Sequence, residues 1–196
     1  MAAKTLRELF VEELRDIYDG EKQLTRALPK MAKAVESEEL RTAITEHLRE
    51  TETQIQRVEQ ILESLGEAVR GKKCEGMQGL IEEGKEKLEE LDGSLLDAAV
   101  IASAQKVEHY EIATYGTLAY MADLLGESEA KALLGETLEE EKAADEKLNG
   151  IAKSQVNRDA LTEAGEEEEE DEEPRRRTQG STSGRAASRA TGSRKR

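Results

Sequence analysis

A repeat of 90 residues constrains the fold of this chain more than any other feature. Between residues 10 and 31, apolar side chains recur at the spacing of one helix face, and Glu21 falls where that face calls for an apolar residue. A shift of 90 residues reproduces the pattern without a gap, and Glu111 then matches Glu21. Other matched pairs are Ile17 and Val107, Leu28 and Leu118, Met31 and Met121, Ile44 and Leu134, Val58 and Leu148, and Ile61 and Ile151. We therefore expect two tandem helix pairs.

Each repeat carries a second glutamate 29 residues after the first, so Glu50 follows Glu21 and Glu140 follows Glu111. Both members of a pair lie at similar distances from a short turn, which places them within roughly one helical turn of the same height. Four converging carboxylates would repel one another strongly unless a cation lies among them. One glutamate from each of four helices is the ligand arrangement of carboxylate-bridged two-metal bundles. The repeat therefore predicts a metal site inside a four-helix bundle.

Two of these glutamates are less well placed than the others. Glu50 and Glu140 lie slightly off the centre of their apolar stripes, next to Thr51 and Glu141. They could be flanking charges that only graze the core, and the sequence leaves this alternative open.

Composition also favours a helical protein. Aromatic residues make up only 3% of the chain, whereas charged residues make up 37%, a balance typical of long helices with aliphatic cores. The net charge of −15 argues against a bundle surface that binds nucleic acid or acidic lipid. The single cysteine, Cys74, excludes an intrachain disulfide framework, and we expect it to be an ordinary loop thiol. No apolar run approaches the ~20 residues needed to span a bilayer, and no signal peptide precedes the first helix, so we expect a cytoplasmic protein without a membrane partner.

Capping signals set the expected boundaries of four long helices. The connection of residues 66–94 contains a further helical pattern, which predicts a short fifth helix crossing the bundle and parallel second and third long helices. Pro29 lies inside the first helix and should bend it. The first helix is expected at Leu6–Val35 after a capping box of Thr5 and Glu8, and the second runs from its N-cap Ser37 to Leu65. The third is expected to open with a capping box of Ser94 and Asp97 and to end at Leu125, and the fourth runs from its N-cap Ser128 to about Ala152.

The helical pattern dissolves near residue 157, so we assign residues 1–157 to the bundle and 158–196 to a disordered tail. The tail has an acidic run at 166–173 followed by a segment, 174–196, that is rich in arginine. No apolar residue larger than alanine follows Leu161, so the tail cannot bury enough surface to fold. Nucleic acid or another acidic partner could contact only the arginine-rich segment, and the acidic run would compete for it.

Four stretches carry a resemblance to a known family: Asp16 to Glu21, His47 to Thr51, Glu108 to Glu111, and Leu138 to Asp145. They resemble the YciE/YciF-type family of small bacterial stress-response proteins, within the ferritin-like superfamily. The resemblance covers about residues 5–153 and leaves out the tail. It implies an all-α, ferritin-like four-helix bundle, a homodimer, and a site for two metal ions, iron or manganese.

The chain departs from the usual ferritin-like ligand pattern. That pattern pairs each glutamate of the second and fourth helices with a histidine three residues later, where this chain has Thr53 and Ala143. The predicted ligands are Glu21, Glu50, Glu108, Glu111 and Glu140, and the residues that could replace the histidines or support the ligands are His47, Gln54, Glu141, Asp145 and Tyr18. Such an oxygen-rich set suits manganese or iron better than zinc or copper.

The predicted function is that of a di-metal protein that oxidises Fe(II) or reduces a peroxide, in the context of oxidative stress. Two alternatives come from other classes. One is a metal-buffering or storage protein without turnover, and the other is a metal-free structural bundle that acts through dimerisation or its charged tail. Tyr110 and Tyr115 are expected mainly to pack in the core, although hydrogen bonds to the site are an alternative.

Overall fold

The computed structural model describes residues 3–162, in which helices are joined by short connections and no strand occurs. This confirms the all-α class and the four-helix bundle with a crossover helix. The helices are α1 (Leu6–Ala34), α2 (Glu38–Ser64), α3 (Glu75–Glu90), α4 (Gly93–Leu125) and α5 (Ser128–Ile151), followed by a π-helical turn, Ala152–Val156. Among these residues, no helix combines the length and the apolar character that crossing a bilayer requires.

Two apolar clusters fill the bundle, and each takes residues from all four long helices. The first combines the C-terminal half of α1 and the N-terminal half of α2 with the N-terminal half of α4 and the end of α5. The second combines the opposite halves of the same helices. Because the start of α1 packs beside the end of α4, these two helices are antiparallel. Helices α2 and α4 therefore run parallel, as the long connection predicted.

Capping confirms the first two helix starts and corrects the other two. The Thr5–Glu8 capping box is formed, and the Ser37 hydroxyl accepts a hydrogen bond from the Leu40 backbone N–H. Helix α4 starts at Gly93 after Asp92, so the predicted Ser94 capping box is wrong. Its Asp97 carboxylate instead accepts from the backbone N–H groups of Glu36 and Ser37, at 2.9 and 2.7 Å. Helix α5 begins at Ser128 itself, one residue earlier than its predicted cap implied.

The crossover helix α3 has 16 residues and packs against α1 and α4. Its N-cap is Cys74, which is fully buried. The Cys74 thiol lies 3.2 Å from the Tyr110 hydroxyl and 3.5 Å from the Met77 backbone nitrogen that donates to it. Cys74 lies outside helical backbone, as expected, and burial raises the pKa of its thiol; the sequence did not predict that the crossover folds it into the core.

The bundle extends past its predicted end at residue 157. Val156 is buried in the first apolar cluster, and helical backbone continues through Thr162. The prediction of an unfolded chain is thus wrong for residues 158–162, which continue the helix that follows the π-helical turn. The acidic run and the arginine-rich segment lie outside the described residues.

Candidate metal centre

A layer of polar side chains separates the two apolar clusters in the middle of the bundle. Each long helix contributes to it, and its members are Glu21 from α1, His47, Thr51 and Gln54 from α2, Glu108 and Glu111 from α4, and Glu141 from α5. The exposed fraction is 0% for Glu21, Glu111 and Glu141, 3% for Glu108 and 8% for His47. No lysine or arginine between residues 3 and 162 is buried, so His47 is the buried basic side chain of this layer.

Four of these side chains form a compact group. His47, Glu108, Glu111 and Glu141 each offer one ligand atom, and those atoms all lie within 4.8 Å of one another. The Nε2 atom of His47 lies 3.5 Å from Glu108 Oε1 and 4.0 Å from Glu141 Oε2. Three carboxylates and one imidazole therefore converge at one point, contributed by α2, α4 and α5.

Glu21 lies next to this group and is joined to α4 by a hydrogen bond. The Tyr115 hydroxyl donates to Glu21 Oε1, and the Glu21 carboxyl is close enough to Glu111 to help raise the pKa of Glu111. Tyr115 is fully buried and lies four residues after Glu111 on the same face of α4. Its contact with a predicted ligand is the alternative that the sequence left open, although packing was the main expectation for a tyrosine in an apolar stripe. The spacing of four residues from Glu111 was the available signal.

The layer favours protonated carboxyl groups. Burial is the main cause that raises the pKa of Glu21 to about 7, although Tyr115 and His47 partly oppose it. Burial, together with neighbouring carboxylates, raises the pKa of Glu108 to about 8 and raises the pKa values of Glu111 and Glu141 well above the usual range. Burial opposes protonation of His47, but the surrounding carboxylates outweigh it and raise its pKa. The carboxyl shifts arise mainly because burial disfavours the charged form, and the shift of His47 arises because the nearby carboxylates stabilise its charged form.

Most of the acceptor atoms in this layer have no hydrogen-bond partner. These atoms are Glu21 Oε2, Glu108 Oε2, both oxygens of Glu111, both oxygens of Glu141, and Gln54 Oε1. The Nδ1 atom of His47 is unpartnered as well. A buried acceptor without a partner normally costs folding free energy of about 1–3 kcal/mol. A divalent cation would satisfy several of these atoms at once, and carboxylate oxygens with one imidazole are ligands that iron and manganese accept. The donor set therefore fits such an ion.

The structure does not place Glu50 and Glu140 in the compact group. Glu140 accepts from both terminal nitrogens of Arg57, at 2.6 and 2.8 Å, and from Gln54 Nε2 at 3.1 Å. The Glu50 side chain is half exposed, and one of its oxygens lies 3.5 Å from His47 Nδ1. The four repeat-related glutamates therefore do not converge as expected, because Glu50 and Glu140 lie outside the compact group.

The inward positions belong to the next residue in each helix. Thr51 and Glu141 are both fully buried, and the Thr51 hydroxyl donates to the His47 carbonyl oxygen at 2.9 Å. One residue corresponds to about 100° around a helix, so a shift of one position moves a side chain from the core to its flank. Glu141, one of the weaker sequence candidates, thus takes the place expected of Glu140.

Two further candidates point to other partners. The Tyr18 hydroxyl donates to Glu59 at 2.7 Å, on the α1–α2 side of the bundle. Asp145 accepts from Gln105 Nε2 at 3.1 Å and from Asn149 Nδ2 at 3.3 Å. Neither residue is part of the compact group. Gln54 is buried beside it, with its amide nitrogen on Glu140 and its oxygen unpartnered.

The fold and the site together define a helical bundle with a buried, carboxylate-rich centre. The family described as "Domain of unknown function (DUF892)" matches residues 5–161, and the chain belongs to this family. It is 50% identical to Protein YciF of Escherichia coli (strain K12) over 166 residues, which are 84% of this chain and 100% of that protein. These findings confirm the predicted YciE/YciF-type family.

Solved structures agree with this assignment. The crystal structure of the E. coli stress protein YciF matches with a TM-score of 0.76 and 51% identity, over 79% of this chain and 99% of that chain. A second match is YcfI from Rhodopseudomonas palustris, described as a putative structural protein, with a TM-score of 0.73 and 45% identity over 74% and 94% of the two chains. A Xanthomonas campestris protein matches at 24% identity with a TM-score of 0.64 over 85% and 99%, which supports the fold alone.

Proposed function

We propose that the buried layer binds two metal ions, iron or manganese, and that the protein acts in the bacterial stress response by oxidising Fe(II) or handling peroxide. The observation that carries this proposal is the set of unpartnered carboxylate oxygens on Glu21, Glu108, Glu111 and Glu141. Such groups destabilise a folded protein unless something compensates them. Protons can do so in part, but a cation would satisfy several oxygens together.

The residues divide into two sets of donors. His47, Glu108, Glu111 and Glu141 would hold one ion, because their donor atoms already converge. Glu21 together with Glu111 would hold the second, and the Tyr115 hydroxyl fixes the orientation of Glu21. When bound, iron or manganese supplies one-electron redox chemistry. The apolar clusters close both ends of the layer against bulk water.

The description of the E. coli relative as a stress protein supports the physiological part of this proposal. The cytoplasmic location and homodimer implied by the family resemblance belong to the same proposal. A partner of the arginine-rich tail would be additional to it.

A second candidate function is a metal-buffering or metal-free structural bundle that acts through dimerisation or its charged tail. It is favoured by the hydrogen bond from the Tyr115 hydroxyl to Glu21, together with the raised pKa values of the carboxyl groups of Glu21 and Glu111. A layer that holds protons near neutral pH is partly compensated without metal. The description of the R. palustris relative as a putative structural protein points the same way.

Equilibrium titration tests metal binding. Chelator-treated protein is titrated with Mn(II), and anaerobically with Fe(II), and bound metal is measured after removal of free ions. We expect two ions per wild-type chain and loss of binding in a Glu111→Gln, Glu141→Gln double variant. The matched control is Glu50→Gln, Glu140→Gln, which removes two carboxylates outside the compact group and should keep both ions. Equal loss in both double variants would contradict the assignment, and no binding by wild type would leave the metal-free bundle.

Redox turnover is tested separately from binding. Metal-loaded protein is mixed with Fe(II) and either oxygen or hydrogen peroxide, and consumption of the oxidant is followed. We expect consumption that is faster than that of free Fe(II) and that is lost in the Glu111→Gln, Glu141→Gln variant. Tight binding without faster consumption would identify a metal-buffering protein.

A further inference from the structure

A cavity of about 180 Å³ opens between α2 and α5 and reaches the candidate metal centre from the side. His47 and Glu108 line its inner end, and Glu50 and Glu140 line its outer part. Small side chains, among them Ala144, form part of its wall and leave the space open. Ala144 lies three residues after Glu141, so a short side chain stands one turn away from a candidate ligand.

The inner end of the cavity presents unpartnered donor atoms. Glu108 is 3% exposed and His47 is 8% exposed. The Oε2 atom of Glu108 and the Nδ1 atom of His47 have no hydrogen-bond partner. Both residues belong to the compact group of four, so anything that passes along the cavity arrives at the candidate ligands themselves.

The outer part carries the two repeat-related glutamates that the compact group leaves out. Glu50 is half exposed and reaches to 3.5 Å from His47 Nδ1, so it connects the solvent side with the inner end. Glu140 is 32% exposed and is held in place by Arg57. Lys147 also lines the cavity but pairs with Glu46 at 2.5 Å. This part of the wall is therefore net acidic, which attracts cations and repels anions.

We propose that this cavity is the route by which a divalent cation reaches the centre, with Glu50 and Glu140 as transient ligands at its mouth. The proposal rests on the proposed metal-binding function and explains why these two glutamates flank the centre instead of entering it. The volume corresponds to about six water molecules at ~30 Å³ each, enough for an ion to keep part of its hydration shell. The apolar stretches of the wall offer no ligand that would trap the ion on the way.

The test measures the rate of metal uptake, with Co(II) as the probe because its visible absorption reports binding. Chelator-treated full-length protein is mixed with Co(II) in a stopped-flow instrument, and the dissociation rate is measured by chelator chase. In Ala144→Leu, a larger side chain narrows the cavity without altering a candidate ligand. We expect its association and dissociation rates to fall together by about tenfold, so that the equilibrium affinity is retained.

A second variant tests the charges at the mouth. In Glu50→Gln, Glu140→Gln, we expect the association rate at low ionic strength to fall by roughly tenfold and its dependence on salt to weaken. The matched control, Glu52→Gln, Glu139→Gln, changes the net charge equally at exposed positions of the same two helices outside the cavity. It should take up Co(II) at the wild-type rate.

The outcomes separate this route from the function on which it rests. Wild-type protein that binds no Co(II) would overturn the proposed metal site and the route together. Protein that binds Co(II) at equilibrium, but at unchanged rates in Ala144→Leu and Glu50→Gln, Glu140→Gln, would overturn the route alone. Equal slowing in the control would assign the effect to net charge and overturn the role of Glu50 and Glu140 as ligands at the mouth. If circular dichroism shows that Ala144→Leu does not fold, the Glu50→Gln, Glu140→Gln variant and its control test the route without it.

Discussion

The α1–α2 hairpin and the α4–α5 hairpin follow the same 90-residue repeat, yet they bring different chemistry to the centre. Glu21 and Glu111 are equivalent, and both are fully buried. At the next inward position, the first hairpin has Thr51 and the second has Glu141. The second hairpin therefore supplies Glu108, Glu111 and Glu141, whereas the first supplies one carboxylate.

The imidazole of the centre comes from the first hairpin instead. His47 lies in the first hairpin, and its equivalent in the second is the buried Thr137. Tyr18 is equivalent to Glu108, but its hydroxyl points to Glu59. The repeat thus preserves helix positions and apolar packing, but not charge. The second hairpin is the acidic half of the centre, and the first hairpin is the half that carries the basic group. The centre is formed where those halves meet, so neither hairpin holds it alone.

The largest expected effect is a loss of metal-free stability as pH rises. The carboxyl groups of Glu21 and Glu108 have folded-state pKa values of about 7 and about 8, above the unfolded value of 4.5, and the pKa of His47 is raised too. Folding therefore takes up protons, so stability is highest near pH 5 and falls as pH rises through 7 to 8. From Glu21 alone we expect a loss of about 3 kcal/mol.

Urea denaturation of chelator-treated protein between pH 5 and 8 measures this loss. Replacing Glu108 and Glu111 of the acidic half with Gln should flatten the profile more than replacing Glu21 does. A profile that is flat in the wild-type protein would contradict the picture of a proton-holding layer.

Metal-dependent stabilisation should differ between the two equivalent glutamates. At a free Mn(II) concentration of 100 times the dissociation constant, one bound ion stabilises the folded state by about 2.7 kcal/mol. Glu111→Gln should remove most of this gain, because Glu111 belongs to the compact group of four. Glu21→Gln should keep the larger part of the stabilisation by Mn(II). The shift in melting temperature at fixed pH measures both, and equal losses would show that the halves contribute alike.

Tyr115→Phe should destabilise the metal-free protein by about 1–2 kcal/mol, because Glu21 Oε1 then loses its buried donor. The equivalent residue in the first hairpin is Thr25, which is only partly buried and donates to the Lys22 carbonyl oxygen. Thr25→Val should change the free energy of unfolding by less than about 0.5 kcal/mol. Chemical denaturation of the two variants side by side provides the measurement. Similar values would mean that the hydroxyl of Tyr115 adds nothing beyond packing.

The smallest effect is expected at the flanking pair. Glu140→Gln removes the ion pair with Arg57 and should cost up to about 1 kcal/mol, because both side chains are partly exposed. Glu50 has no arginine partner, so Glu50→Gln should cost less. Urea denaturation at pH 7 and two salt concentrations compares them. A cost at Glu140 that does not shrink with salt would argue against a solvent-screened pair.

The sequence was sufficient for the helices, their pairing and the buried position of Glu21 and Glu111, because a glutamate within an apolar stripe is informative by itself. It did not distinguish Glu140 from Glu141, since two adjacent glutamates differ by one step around a helix whose apolar face is wide. The position of Asp97 also escaped prediction. Its partners, the backbone N–H groups of Glu36 and Ser37, are 61 and 60 residues away, and no local pattern reports such a contact.

The burial of Cys74 gives this chain a built-in reporter of local opening. Its thiol is the single one in the sequence, and it lies at the first turn of α3 against the Tyr110 hydroxyl. The neighbouring Gly76 lies so close to the Tyr110 ring that a Cβ atom there would come within 2.8 Å of it. A thiol reagent can therefore reach Cys74 only after the N-terminal end of α3 opens locally from the helices around it. The rate of labelling then measures the free energy of releasing the crossover, without any introduced probe.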